Sequence, residues 1–144
     1  MGHTVLIVDD EENILSSLRR LLRADGYEVC TALSAKEALG ILESRPVWLV
    51  ISDNMMPEMN GVDFLRQVRE RWPDTIRIML TAYADLDSTM DAINKGEVFR
   101  FVTKPWDPDG LRLIVRQGIE QRRLLEENRR MQALIERQNA ELKQ

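Results

Sequence analysis

Thr4-Val5-Leu6-Ile7-Val8-Asp9-Asp10 is a short run of aliphatic and β-branched residues that stops at two aspartates. Its length and composition read as a strand. The next stretch, Glu12 to Ala24, places Ile14, Leu15, Leu18, Leu21 and Leu22 on one helical stripe. A second run, Val47 to Ser52 (VWLVIS), is the most apolar in the chain and also stops at an acid, Asp53. A strand without polar alternation is one buried on both faces, which is the habit of parallel sheets covered by helices. Two such strands, each ending in carboxylate and followed by a helical pattern, predict parallel βα units.

The same alternation continues outward from these two strands. Asp25-Gly26 is a turn, Tyr27 to Ala32 a weaker strand, and Ser34 with Glu37 three residues on forms a capping box opening a helix through Glu43. After a loop at 54–61, Val62 to Trp72 carries Phe64, Leu65 and Val68 inward, and Pro73-Asp74 ends it before a strand at Ile76 to Leu80. A helix near Leu86 to Lys95 with Gly96 as its cap, a short strand at Val98 to Val102 and a Lys104-Pro105 turn complete the pattern. From about Pro108 to the end the composition is helical. The expected fold is therefore α/β, a doubly wound five-stranded parallel sheet of order 2-1-3-4-5 with an extended C-terminal helix. In that order the switch point lies between the first and third strands, which end in Asp9-Asp10 and Asp53.

Three carboxylates at one sheet edge repel and raise one another's pKa unless a cation joins them. Oxygen ligands without His or Cys favour Mg²⁺. Asp9-Asp10 alone has a plainer reading, as acids at the start of a helix. Thr81 after the fourth strand and Lys104 after the fifth bring a hydroxyl and an ammonium to the same edge. Together these groups suit phosphoryl transfer: a carboxylate attacks phosphorus, metal and lysine neutralise the phosphoryl oxygens, and the hydroxyl donates to one of them.

The motifs VLIVDDEE (5–12), SDNMMPEMNG (52–61), MLTAY (79–83) and FVTKPW (101–106), taken in this order, resemble those of response-regulator receiver domains of bacterial two-component signalling. The resemblance covers roughly residues 3–122. It implies that Asp53 is the phosphoacceptor, and that Asp10, Asp53 and the backbone carbonyl of Met55 hold Mg²⁺ directly while Asp9 acts mainly through a water on the metal. It further implies that Lys104 contacts a phosphoryl oxygen across a cis Lys104–Pro105 peptide, that Thr81 is the switch hydroxyl, and that Phe101 is its aromatic partner. Phe101 as plain core is an equal reading of the residue itself. Asn54, Met55 and Met56 carry no ionisable group, and bulk at Met55 and Tyr83 beside the expected phosphoryl site would slow its hydrolysis. The stretch NKGEVFRFVTKPW (94–106) resembles a subset of receivers joined to larger output domains, such as HD-GYP phosphodiesterases or ATPase activators.

The chain is expected to divide into a receiver at 1–122 and an extension of the last helix at 123–144. In the extension, Leu124, Met131 and Gln138 share one heptad position, and Asn128, Ile135 and Leu142 another. That spacing suits a short parallel coiled coil, with Asn128 setting register. A single solvated helix leading to an absent output domain is the plainer alternative, and an end inside a helix predicts truncation at Gln144. The expected partners are a sensor histidine kinase or phosphotransfer protein and a second copy, paired through the last helix and the face it makes with the fifth strand and the helix before it.

Composition narrows the remaining classes. The chain has 144 residues, 44% hydrophobic and 31% charged, with net charge −4. Residues 1–106 hold 17 acids against 12 bases and residues 107–144 hold 7 against 8, so neither part forms the dense basic face of a nucleic-acid binder. No apolar run approaches the roughly 18 residues of a membrane span and no signal peptide opens the chain, so a cytoplasmic setting is expected. The lone Cys30 reads as a packed thiol and His3 as an unstructured terminal residue. Two rivals remain. A Mg²⁺-dependent phosphohydrolase with Asp53 as nucleophile would want an acid two residues on, where Met55 stands. A phosphorylation-independent dimeric scaffold would have no use for uncompensated carboxylates.

Overall fold

The computed structural model describes residues 3–85, 87, 90 and 98–142. Five strands run β1 (Thr4–Val8), β2 (Glu28–Ala32), β3 (Leu49–Asp53), β4 (Ile76–Ala82) and β5 (Arg100–Lys104). Between them lie α1 (Glu12–Ala24), α2 (Ala35–Ser44), α3 (Gly61–Arg71) and a 3₁₀ turn at Tyr83–Asp85, and one C-terminal helix spans Pro108–Leu142. The sheet is parallel throughout, in the expected order β2-β1-β3-β4-β5. Of the helix expected near 86–95, only Asp87 and Met90 lie among the described residues, both helical; the rest of it and Gly96 lie outside them.

Alternation along the strands splits the core in two. Leu6, Val8, Val50 and Met79 point to one face and pack with Phe64, Leu65 and Val68 of α3 and Ala38 and Leu42 of α2. Val5, Ile7, Leu49, Ile51, Ile78 and Leu80 point to the other, against Leu15, Leu18 and Leu22 of α1 and Leu111 and Val115 of the C-terminal helix. All five residues of β1 and of β3 are buried, the continuous burial that their unbroken apolar runs require. The C-terminal helix lies tight on the sheet at Gly118, where a Cβ would stand 2.9 Å from Leu49 Cδ1 and 3.0 Å from Ile76 Cγ2.

Local chemistry ends the helices where expected. Ser34 Oγ accepts from the Glu37 backbone N–H at 3.1 Å, and the Glu37 carboxylate accepts from the Leu33 N–H at 3.4 Å, so the box closes one residue earlier than its standard form. Asn60 caps α3 by accepting from the Asp63 N–H at 2.8 Å, and the Asp107 carboxylate accepts from the Gly110 N–H at 3.0 Å at the start of the last helix.

Several strand boundaries differ from the expectation: β2 starts one residue later, at Glu28, and β3 runs Leu49–Asp53 rather than from Val47 to Ser52. β4 continues two residues past Leu80, and β5 starts and ends two residues later than expected. The reason in β4 and β5 is the parallel ladder that pairs Thr81 with Thr103 and Ala82 with Lys104, the first of these pairs β-branched on both strands. Val98 is instead a buried core residue ahead of the strand. Thr81 is thus the last but one residue of β4 and Lys104 the last of β5, rather than residues of the loops after them. His3 is also ordered: its ring stacks on Trp48 with centroids 3.8 Å apart and planes 17° from parallel, because the Trp48 N–H bonds to the Thr4 carbonyl and brings the indole beside the chain's start. Cys30 lies in β2, half-buried and packed against the core.

Candidate functional site

The register of the sheet sets the site. Val8 pairs with Ser52 and Asp53 with Leu80, so β1, β3 and β4 end level with one another and deliver Asp9, Asp10, Asp53 and Thr81 to one edge. One carboxylate oxygen from each of Asp9, Asp10 and Asp53 lies within 4.8 Å of the others. Asp9 is fully buried, Asp53 is 6% exposed, Thr81 is fully buried, and Asp10 faces solvent.

Lys104 closes the cluster from β5. Its Nζ stands 3.0 Å from Asp9 Oδ2 and 3.0 Å from Asp53 Oδ1, so one ammonium bridges two buried carboxylates. Asp9 also accepts from the Glu11 backbone N–H at 2.9 Å. Burial holds the Asp9 carboxyl above its ordinary pKa, and the nearby Asp53 charge adds to this, while the Glu11 N–H and Lys104 act the other way. Burial also works against the Lys104 ammonium, but its hydrogen bonds to Asp53 and Asp9 outweigh that and hold its pKa above the ordinary lysine value. The Lys104–Pro105 peptide is cis, as the resemblance implied.

The loop after Asp53 is fastened to the sheet by backbone. The Asn54 N–H donates to the Leu80 carbonyl at 2.9 Å, and the Asn54 carbonyl accepts from the Gly61 N–H at 2.8 Å. Gly61 can approach only because it lacks a side chain: a Cβ there would lie 2.8 Å from Asn54 Cα and closer still to the Asp53 carbonyl oxygen. Glu58 holds a φ of +70°, and the Met59 N–H donates to the Pro57 carbonyl at 2.8 Å, so the loop doubles back there.

The expected residues are thereby brought together. Asp9, Asp10, Asp53 and Lys104 form one cluster, and Thr81 stands next to last in β4, one residue past the Leu80 that pairs with Asp53. Met55, two residues past Asp53, is 64% exposed. Phe101 is half-buried against the core on the α2 and α3 side, a position that serves packing and leaves a face uncovered. Tyr83 opens the turn after β4, and its side chain lies outside the described residues. Sequence reasoning did not anticipate Asn54 as a buried loop fastener; its place directly after the strand-ending acid was the only signal available.

The donor set is hard oxygen, anionic and partly buried, which fits a divalent cation of the Mg²⁺ kind. Lys104 Nζ pairs with Asp9 Oδ2 and Asp53 Oδ1, and the exposed Asp10 carboxylate stands outside that bridge.

Residues 5–116 match the family profile described as the response regulator receiver domain. The chain is 41% identical over 117 residues to the hydrogenase transcriptional regulatory protein HoxA of Cupriavidus necator, covering 81% of this chain and 24% of that protein. It is similar to a solved adenylate cyclase chain of Rhodopirellula baltica at TM-score 0.86 and 34% identity, covering 92% of this chain and 98% of that one. It is similar also to the signal receiver domain of an HD domain-containing protein of Pseudomonas fluorescens Pf-5, at TM-score 0.82 and 40% identity, covering 88% and 93%. The chain belongs to the response-regulator receiver-domain family, a regulatory family of two-component systems whose members interact with histidine kinases. It spans about a quarter of the length of the first curated relatives it matches, 24% and 25%. No helix among the described residues is long and apolar enough to cross a membrane.

Proposed function

We propose that the chain is a phosphorylation-controlled switch in which Asp53 takes a phosphoryl group from a histidine kinase or a phosphotransfer protein. A carboxylate oxygen of Asp53 forms the new P–O bond as the donor's P–N bond breaks, and the donor imidazole leaves with the electron pair. The observation that carries this reading is the Lys104 ammonium 3.0 Å from both Asp53 and Asp9, a cation held where phosphoryl charge must be neutralised. Asp10, Asp53 and the Met55 carbonyl would hold Mg²⁺, with Asp9 behind them, and the ion would add charge neutralisation at the same oxygens. Thr81 then serves as the hydroxyl that responds to the phosphoryl group, and the half-buried Phe101 moves with it.

The output side of the switch is the C-terminal helix. Leu113, Leu124, Met131 and Ile135 are each at least half exposed, at 50%, 52%, 55% and 51%. At 100° per residue Leu124, Met131 and Ile135 fall within an arc of about 40°, an apolar stripe roughly 17 Å long. Leu113 lies on the same arc nearer the sheet, with the polar Gln117 and Glu120 between it and Leu124. A stripe of this kind is self-complementary under a two-fold axis and fits a second copy. Phosphorylation would shift the pairing equilibrium only by its differential stabilisation of one state, so partial pairing before phosphorylation is expected. The test is light scattering of the chain with Mg²⁺, before and after addition of acetyl phosphate, beside Asp53→Asn. A change of mass or of pairing constant in the wild type alone supports the switch; equal behaviour of both proteins counts against it.

A further inference from the structure

The back of the C-terminal helix is tied to its own domain by contacts that phosphoryl chemistry does not use. Arg122 donates through Nη1 to the Asp74 carbonyl at 2.9 Å and through Nε to Glu126 at 2.8 Å. Its guanidinium carbon lies 5.2 Å from the centroid of Trp48, the ring on which His3 stacks. Two turns further along the helix, Arg129 reaches back to the same loop. Its Nη2 donates to Asp74 Oδ1 at 2.8 Å, and its Nη1 pairs with Asp74 Oδ2. Asp74, between α3 and β4, thus receives one arginine on its backbone and another on its carboxylate, the second in the bidentate geometry that makes such pairs directional.

Arg122, Leu125, Glu126 and Arg129 share one helix face, centred about 150° around the axis from the stripe of Leu124, Met131 and Ile135. The tie and the stripe therefore do not compete for the same surface. A helix leaving a domain with only solvated side chains frays, since isolated helical turns are marginal in water. Here the first two turns beyond residue 122 are held.

We infer that Asp74, Trp48, Arg122 and Arg129 form a clamp that carries the rigid body of the receiver down to Arg129 and fixes the direction in which the apolar stripe is presented to a second copy. The second half rests on the pairing proposed above; the clamp itself is within one chain. Any reorientation of the receiver is then handed to the linker as a rotation of a fixed lever rather than absorbed by a loose joint.

The test is hydrogen–deuterium exchange over residues 119–130 for the wild type, Asp74→Ala, Arg129→Ala and the double variant. Each protein is measured at a concentration where light scattering reads a monomer and again at a high concentration. Each single change should speed exchange in this segment about two- to fivefold, the range that one well-oriented surface pair can support. The double variant should be no faster than the faster single one, because both changes remove the same pair. Amides of β1 and β3 should be unaffected. Unchanged exchange or additive effects would overturn the clamp, as would wild-type protection that vanishes on dilution to the monomer, which would assign the protection to pairing. A chain that stays monomeric at every concentration while the clamp variants behave as expected would remove the pairing reading and leave the clamp.

Discussion

Gly61→Ala should disturb both the fold and the site, by an amount the structure allows to be worked out. The new Cβ would stand 2.8 Å from Asn54 Cα and 3.0 Å from the Asp53 carbonyl carbon. Ordinary carbon contacts begin near 3.5 Å, so about 0.5–0.7 Å of separation must be found. The obstructing atoms are backbone at the end of a fully buried strand, which has no rotamer to change. Moving α3 away instead stretches the Gly61 N–H to Asn54 carbonyl bond, now 2.8 Å. Overpacking of this kind costs about 1–3 kcal/mol, and the weakened hydrogen bond adds up to about 1. Better helix propensity returns somewhat less than 1 at a first-turn position. The net expectation is a loss of about 2 kcal/mol. With a urea m-value near 2 kcal/mol per molar, that lowers the denaturation midpoint by about 1 M.

The same substitution at Gly40, an exposed position inside α2 with no atom within 4 Å of the new Cβ, should raise stability by about 0.5–1 kcal/mol. The two variants measured side by side in urea separate the collision from any general effect of alanine. A Gly61→Ala midpoint equal to that of the wild type would refute the reasoning, since it would mean that the Asp53–Asn54 backbone is not pinned as described.

Other consequences are open to measurement. Lys104→Ala leaves the Asp9 and Asp53 carboxylates facing each other without the bridging ammonium; Lys104 is about one-fifth exposed, so a loss of about 1–3 kcal/mol is expected at neutral pH. Millimolar Mg²⁺ should recover part of that loss in thermal melts, and melts indifferent to Mg²⁺ would argue against a cation site at these acids. Tyr27 is held above its ordinary pKa by burial first and by Asp25 second, and Lys104 is held high by its carboxylates. Both raised values give stability that is present below about pH 10 and is lost as pH climbs through the native values, because the unfolded chain releases those protons first. Urea midpoints should therefore fall between pH 9 and pH 11, less steeply in Tyr27→Phe; an identical slope in that variant would remove Tyr27 from the account. Glu58 occupies φ +70°, so Glu58→Gly should stabilise by about 0.5–1 kcal/mol, and a lower melting temperature would show that the Glu58 side chain contributes more than its backbone strain costs.

The fold was legible because its two central strands announce themselves: the apolar runs Val5–Val8 and Leu49–Ile51 are buried throughout and leave no exposed position to confuse with a helix period. The site was legible for the same reason, since a doubly wound sheet sends the ends of those strands to one edge and the acids stand at the ends. The boundaries of β4 and β5 were less so. Thr81, Ala82, Thr103 and Lys104 are paired by a ladder between strands some twenty residues apart, and no local pattern encodes that partnership. His3 was misjudged because its order depends on Trp48, forty-five residues away. The Asp9–Lys104–Asp53 bridge could be placed at one edge but not seen as a bridge, because its geometry is set by the three registers that link β1, β3, β4 and β5. The clamp on Asp74 is of the same kind: Arg122 and Arg129 look like solvated linker charges until the loop after α3 is laid beneath them.

The central claim is that Asp53 is the phosphoacceptor. It is tested most directly by intact-mass measurement of the chain after incubation with Mg²⁺ and acetyl phosphate, for the wild type, Asp53→Asn and a sample treated at alkaline pH. With Asp53 as phosphoacceptor, an addition of about 80 Da, one HPO₃, is expected in the wild type alone, lost on alkaline treatment as an acyl phosphate should be. An addition that persists in Asp53→Asn, or no addition to the wild type, would contradict it.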